Sequence, residues 1–142
     1  MPGAGGAARV FAALTVIVVL FQLALAFGAP WGAYAMGGAF PGTYPPAMRV
    51  GAVVQAAILA GLALVVLARA GLALPGLAKA SRWMVWIVVG LLALGVVLNL
   101  ITPSGMERLI WAPVTILMFL CALRVAASDA RSGESHQVGP GA

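Results

Sequence analysis

Four long apolar stretches, separated by short polar or glycine- and proline-rich segments, dominate the pattern along the chain. They lie at about 10–27, 47–68, 83–101 and 107–127. A helix needs about 20 predominantly apolar residues to cross the hydrocarbon core of a bilayer, and each stretch is close to that length. The pattern therefore predicts an all-α integral membrane protein whose residues 1–127 form a four-helix transmembrane bundle.

The first stretch could also be the apolar core of a secretory signal peptide. Arg9 precedes it, and Ala24, Leu25 and Ala26 resemble the small-residue pattern of a cleavage site. Its apolar run is longer than the roughly 7–15 residues of a signal peptide. We therefore favour a retained first helix and keep cleavage as the alternative.

Residues 28–46 have a different composition, rich in glycine, proline and aromatic residues. Glycine and proline interrupt helices, whereas tryptophan and tyrosine favour the headgroup level of a membrane. Trp31 and Tyr34 therefore predict a structured loop at the membrane surface.

The turn before the fourth stretch carries a helix-start signal. Ser104 and Glu107 match the S-x-x-E capping box, in which each side chain satisfies a free backbone amide at the helix start. So short a connection predicts that the third and fourth helices are antiparallel neighbours. The polar segment 128–142, after the last stretch, is expected to be a disordered tail.

Basic residues are distributed unequally between the two ends of the predicted bundle. Placing both termini on one side leaves only Arg49 and Arg108, of the eight basic residues, on the other. The positive-inside rule then predicts cytoplasmic N- and C-termini and an outward-facing loop 28–46. The basic residues on the side of the termini are Arg9, Arg69, Lys79, Arg82, Arg124 and Arg131.

Composition supports a membrane location and limits the chemistry. Hydrophobic residues make up 63% of the chain and charged residues 8%, against roughly 45–50% and 25% in soluble domains. The basic residues are scattered singly, which argues against nucleic-acid binding. Cys121 is the single cysteine, so neither a disulfide nor a thiolate metal cage is expected. The abundance of arginine, alanine, glycine and valine suggests a GC-rich bacterium and hence a multi-pass protein of its cytoplasmic (inner) membrane.

The interiors of the four stretches contain no Asp, Glu, Lys, Arg or His. Ionisable residues at membrane depth usually mark ion pathways and reactive sites. Their absence argues against ion-coupled transport and against an enzyme, and it predicts no metal, no cofactor and no catalytic residue.

Polar residues in the outward half of the bundle form the candidate site. One interpretation is that they are helix–helix contacts, because interhelical hydrogen bonds are common in membranes. The other is an outward pocket for a lipid headgroup or small amphiphile, covered by the loop. We favour helix contacts and keep the pocket open. The residues of this cluster are Gln22, Gln55, Asn99, Thr115, Arg49, Trp31 and Tyr34.

Three motifs carry a family resemblance: GAPWGAYAMGG at 28–38, NLITPS at 99–104 and WAP at 111–113. With them, roughly residues 10–125 resemble small, uncharacterised four-helix membrane proteins of actinobacteria and bacilli. The resemblance implies an integral protein of the cytoplasmic membrane and brings no assigned activity or catalytic residue.

Two functions remain from the sequence. The first is a structural or accessory subunit of a homo-oligomer or larger membrane complex, favoured by small-residue pairs such as Ala57 and Gly61 that allow close helix packing. The alternative is a binding or transport module for a lipid or small lipophilic molecule at the outward polar cluster. The lipid bilayer is the expected partner in both, with a bound lipid in the second.

Overall fold

The computed structural model of the chain describes the backbone of residues 3–135 and the side chains of residues 3–128. Within these residues the chain forms four long helices and no strand. All four are long and apolar enough to cross a membrane, which confirms the predicted all-α, four-helix fold. The helices are α1 (Ala4–Ala26), α2 (Pro46–Arg69), α3 (Ala78–Ile101) and α4 (Gly105–Ser135).

The helices form a bundle in which α1 packs mainly against α2 and α4, and α3 packs mainly against α4. Asn99 donates a hydrogen bond to Thr115 across the α3–α4 turn, so these two helices are antiparallel neighbours, as predicted. Contacts between α2 and α3 are sparser. We call the end that carries segment 27–45 and the α3–α4 turn the loop end, and the opposite end the terminal end.

A closely packed core fills the terminal half of the bundle. Each helix contributes at least one residue without exposed surface, and the largest of these are Phe11, Val66, Val85 and Val125. Between lipid-solvated helices such packing holds the bundle together through van der Waals contact, because lipid tails are as apolar as the side chains.

A smaller cluster lies at the loop end and includes no residue of α3. Leu25, Ala35, Tyr44 and Ala52 are its buried members, and they come from α1, the loop and α2. Neither α3 nor α4 contributes a residue to this cluster, so the packing at the loop end is less extensive than in the terminal half.

Three helices are longer than the apolar pattern indicates. The structure begins α1 at Ala4 rather than at 10 and α3 at Ala78 rather than at 83, and it ends α4 at Ser135 rather than at 127. The residues added are small or polar, and none is proline, so the backbone hydrogen bonding of the helix continues where the apolar run stops. Residues 128–135, assigned to a disordered tail from sequence, are thus helical, and the rest of that tail, 136–142, lies outside the described residues.

Segment 27–45 is folded back on itself and contains two short 3₁₀ turns, Gly32–Tyr34 and Met36–Gly38. The Gly32 amide donates to the carbonyl oxygen of Gly42 at 2.9 Å, which closes the segment into a compact loop. This approach requires glycine, because a Cβ atom at Gly32 would lie 1.8 Å from the carbonyl oxygen of Phe40.

We therefore expect Gly32→Ala to destabilise the protein by about 1–3 kcal/mol, the usual cost of overpacking. Gly90→Ala is the matched control, because Gly90 lies inside α3 with nothing within 4 Å of its added Cβ. Thermal unfolding in detergent micelles, followed by circular dichroism, measures both. Equal stability of the two variants would contradict this account of the loop.

Candidate functional site: a cavity at the loop end

A cavity of about 900 Å³ lies at the loop end, lined by all four helices and by the loop. Gly51 and Gln55 of α2 line one side, and Leu94 and Leu98 of α3 line the other. All four are exposed. The cavity is therefore open between α2 and α3, where contacts between the helices are sparse.

The inner end of the cavity is closed by apolar side chains. Leu59, Leu92 and Met118 line it and are themselves buried. Met118 and Leu92 also belong to the terminal-half core, so the packed core forms the floor of the cavity. An apolar ligand would thus meet a well-packed surface there.

The carboxylate of Glu107 lies at the loop end of the cavity, in the first turn of α4. Glu107 is only 8% exposed and lines the cavity. Its Oε2 atom accepts two hydrogen bonds, from the Gly37 amide and from the Thr102 hydroxyl, both at 2.8 Å. The carboxylate therefore fixes the loop and the end of α3 to the start of α4.

The capping box predicted at this turn is only half formed. The Ser104 hydroxyl oxygen accepts a hydrogen bond from the Glu107 amide at 3.2 Å, as predicted. The Glu107 carboxylate does not return to the backbone of Ser104 but bonds to Gly37 and Thr102. The loop supplies a competing donor, because Gly37 adopts a φ of +67°, a left-handed conformation that glycine reaches without strain.

Tyr44 places a phenol in the same cavity. Its side chain is 4% exposed, and its hydroxyl has no hydrogen-bond partner among the described residues. Burial, and secondarily the negative charge of Glu107, raise the pKa of Tyr44 above its ordinary value. The phenol is therefore neutral at physiological pH and available as a hydrogen-bond donor.

Aromatic contacts attach the loop to the helices. Trp111 donates from Nε1 to the carbonyl oxygen of Tyr34 at 2.8 Å. The ring of Phe21 contacts that of Trp111 at a centroid distance of 4.7 Å and stacks on Trp31 at 6.3 Å. Together with Glu107, these contacts hold the loop over the end of the cavity.

The structure brings five of the seven candidate residues to the cavity wall: Gln22, Tyr34, Gln55, Asn99 and Thr115. The other two candidates lie outside the lining. Arg49 donates from Nε to the carbonyl oxygen of Tyr44 at 2.9 Å, and Trp31 packs on Phe21.

The two interpretations of the polar cluster apply to different members. Asn99 donates to the Thr115 hydroxyl at 2.8 Å, and Thr115 donates to the Trp111 carbonyl oxygen at 2.7 Å, so this pair is a helix–helix contact. Gln22 and Gln55 form no side-chain hydrogen bond among the described residues, and both residues line the cavity.

Sequence reasoning missed Glu107 and Tyr44 as site residues. The capping-box pattern predicts a purely structural role for Glu107, and the absence of ionisable residues applies only to the interiors of the spans. One signal was available: Glu107 is the only acidic residue before Asp129. A hydroxyl alone can cap a helix, so a single carboxylate between apolar stretches indicates a further role.

A scan against models of protein families, a search of curated proteins and a search of solved structures found no match to this chain. Within residues 3–128, no group of three or more His, Cys, Asp or Glu side chains is placed to hold a metal ion. The site is thus described by its own geometry.

The two kinds of polar residue are expected to respond differently to replacement. Asn99→Leu removes an interhelical hydrogen bond and should lower stability by about 0.6–1.7 kcal/mol, the range measured in membrane bundles. Gln55→Leu removes no bond and should not lower stability. Reversible unfolding in mixed micelles measures both variants, and an equal loss in the two would show that Gln55 is also a structural contact.

The environment of Tyr44 can be measured by titrating its phenol. Tyr34 and Tyr44 are the only tyrosines, so a Tyr34→Phe background isolates Tyr44. We expect the pKa of Tyr44 to lie above the ordinary value of about 10. The ultraviolet absorbance of tyrosinate measures this titration. Adding Glu107→Gln should lower this pKa, because one of the two causes of the shift is removed. An unchanged pKa would show that the two groups do not interact.

Proposed function

We propose that this protein binds a small amphiphilic molecule in the loop-end cavity, within the membrane. The observation that carries the proposal is a cavity of about 900 Å³ between α2 and α3, with the buried carboxylate of Glu107 at one end. A purely structural bundle has no need of such a space, since unfilled volume between helices forfeits packing energy.

The size and lining of the cavity fit a small ligand. Binding sites for small molecules are typically about 300–1,000 Å³, lined mainly by apolar side chains with a few placed polar groups. Here apolar residues such as Leu59 and Leu92 form the inner part, and Gln55, Tyr44 and Glu107 supply polar groups nearer the loop. This arrangement suits a molecule with an apolar tail and a polar head.

The proposed setting is the cytoplasmic membrane of a bacterium, with both termini in the cytoplasm and the loop end facing outward. The arrangement of charges supports this orientation. Arg9, Lys79 and Arg82 are exposed and belong to the terminal end, where basic residues favour the cytoplasmic side. The resemblance to small bacterial four-helix proteins points to the same membrane.

A second candidate is an accessory subunit of a homo-oligomer or larger membrane complex. Ala57 and Gly61, a small-residue pair on α2, are both exposed, and nothing lies within 4 Å of a Cβ atom added at Gly61. Such a pair allows another membrane helix to approach closely. Ligand binding and assembly are compatible, because this pair does not line the cavity.

Photo-crosslinking in non-ionic detergent micelles tests ligand binding. The probe is a neutral fatty alcohol that carries a diazirine in its chain, and mass spectrometry locates the residues that it labels. We expect labelling concentrated on the residues that line the cavity, competed by unlabelled fatty alcohol.

Two substitutions of glycine in α2 provide the matched comparison. Gly51 lines the cavity and Gly61 does not, and each has nothing within 4 Å of an added Cβ. Gly51→Leu should fill part of the cavity and reduce its labelling several-fold, whereas Gly61→Leu should leave it unchanged. Labelling spread evenly over the apolar surface, insensitive to Gly51→Leu, would refute the binding proposal.

A further inference from the structure

We propose that the ligand of the loop-end cavity is an organic cation with an apolar tail, whose cationic head pairs with Glu107. The inference rests on the proposed function and specifies the chemical class of the ligand. It follows from the charge of the cavity wall, from the hydrogen bonds of that charge and from the apolar character of the remaining lining.

The cavity wall carries one charge. Among the described residues that line it, Glu107 alone is charged, and its charge is negative. The two arginines of the loop end do not line the cavity. Arg49 and Arg108 instead donate to the carbonyl oxygens of Tyr44 and Thr102, and neither forms an ion pair with Glu107 among the described contacts.

Two hydrogen-bond donors and a helix N-terminus lie at the Glu107 carboxylate. Its Oε2 atom accepts hydrogen bonds from Gly37 and Thr102. It also lies in the first turn of α4, where the partial positive charge of the helix N-terminus favours a negative side chain. A buried carboxylate without an ion-pair partner is costly, and a cationic ligand would reduce that cost.

One oxygen of the Glu107 carboxylate and the hydroxyl of Tyr44 remain available to a ligand. Both protein hydrogen bonds go to Oε2, and none of the described residues donates to Oε1. The Tyr44 hydroxyl is likewise without a partner, although its side chain is only 4% exposed. The carboxylate oxygen and the phenol oxygen belong to residues that line the same cavity, and both can accept from the N–H groups of an ammonium or guanidinium head.

The surroundings of Glu107 are poorly suited to a metal ion. Hard cations such as Ca²⁺ take about six to eight oxygen ligands, whereas apolar side chains such as Leu91 and Leu94 dominate the rest of the wall. These side chains solvate an alkyl or aryl tail instead. An anionic head would meet the like charge of Glu107, so the cavity selects against it.

Three probes that differ only in their heads test the sign of the charge. Each carries the same diazirine-bearing chain, with a primary ammonium, a hydroxyl or a sulfate head, and is crosslinked to the wild-type protein in micelles of a maltoside detergent. We expect the ammonium probe to label the cavity at about tenfold lower concentration than the alcohol, the ratio typical of a hydrogen bond or contact with a charged group. The sulfate probe should label it least.

Glu107→Gln is the matched variant, because glutamine keeps the shape of the side chain and an oxygen that accepts from Gly37 and Thr102. It should abolish the preference for the ammonium probe while the alcohol still labels the cavity. Asp129→Asn, which raises the net charge by the same one unit near the terminal end of α4, should preserve the preference and controls for net charge. Thermal unfolding of each variant establishes that it is folded. If Glu107→Gln does not fold, the concentrations at which the three probes label the wild-type protein still test the proposal.

Competition then identifies the source of the cation. Displacement of the ammonium probe by phosphatidylethanolamine would indicate a lipid headgroup, whereas displacement by decylammonium alone would indicate a free lipophilic cation. Either result agrees with the inference.

The two proposals fail in different ways. If no probe labels the cavity, the proposed binding function is wrong. If the alcohol labels it but the ammonium probe shows no preference, or if the preference survives Glu107→Gln, binding stands and the assignment of a cation is overturned. Strongest labelling by the sulfate probe would also overturn it.

Discussion

The carboxylate of Glu107 joins three parts of the chain: the loop, the end of α3 and the start of α4. Through Oε2 it holds the Gly37 amide of the loop and the Thr102 hydroxyl at the end of α3 against the start of α4. The Ser104 hydroxyl adds a hydrogen bond to the carbonyl oxygen of Ala33. The loop therefore takes its position from α4, and the end of the cavity exists because the loop is held there.

This arrangement divides the bundle into two halves with different tasks. The terminal half is packed through Phe11, Val66, Val85 and Val125, one side chain from each helix. At the loop end the buried cluster is formed by α1, the loop and α2, and the cavity lies beside it. Rigid packing at one end thus supports an open site at the other, which is how binding sites are usually held in shape.

The sequence predicts the helices better than the site, for a physical reason. A transmembrane helix is specified by a continuous apolar run, which is a local property of the sequence. All four helices are therefore predicted from the sequence. The partners of Glu107 lie 70 and five residues away, and no periodicity connects them. The capping box was a correct local signal, but Gly37 competes for the carboxylate only in the folded chain. Gln55 and Asn99 look alike in sequence, yet only Asn99 has a partner opposite it on the next helix.

For the proposed ligand, the gap between α2 and α3 makes the concentration in the membrane the relevant one. A site entered from the side is filled from molecules already dissolved in the hydrocarbon, where an amphiphile accumulates far above its level in water. A modest intrinsic affinity is then enough for high occupancy. The same partitioning makes the alkyl chain a weak basis for discrimination, since every lipid nearby offers one. Selectivity therefore depends on the polar head of the ligand and on the few polar atoms of the cavity beneath the loop.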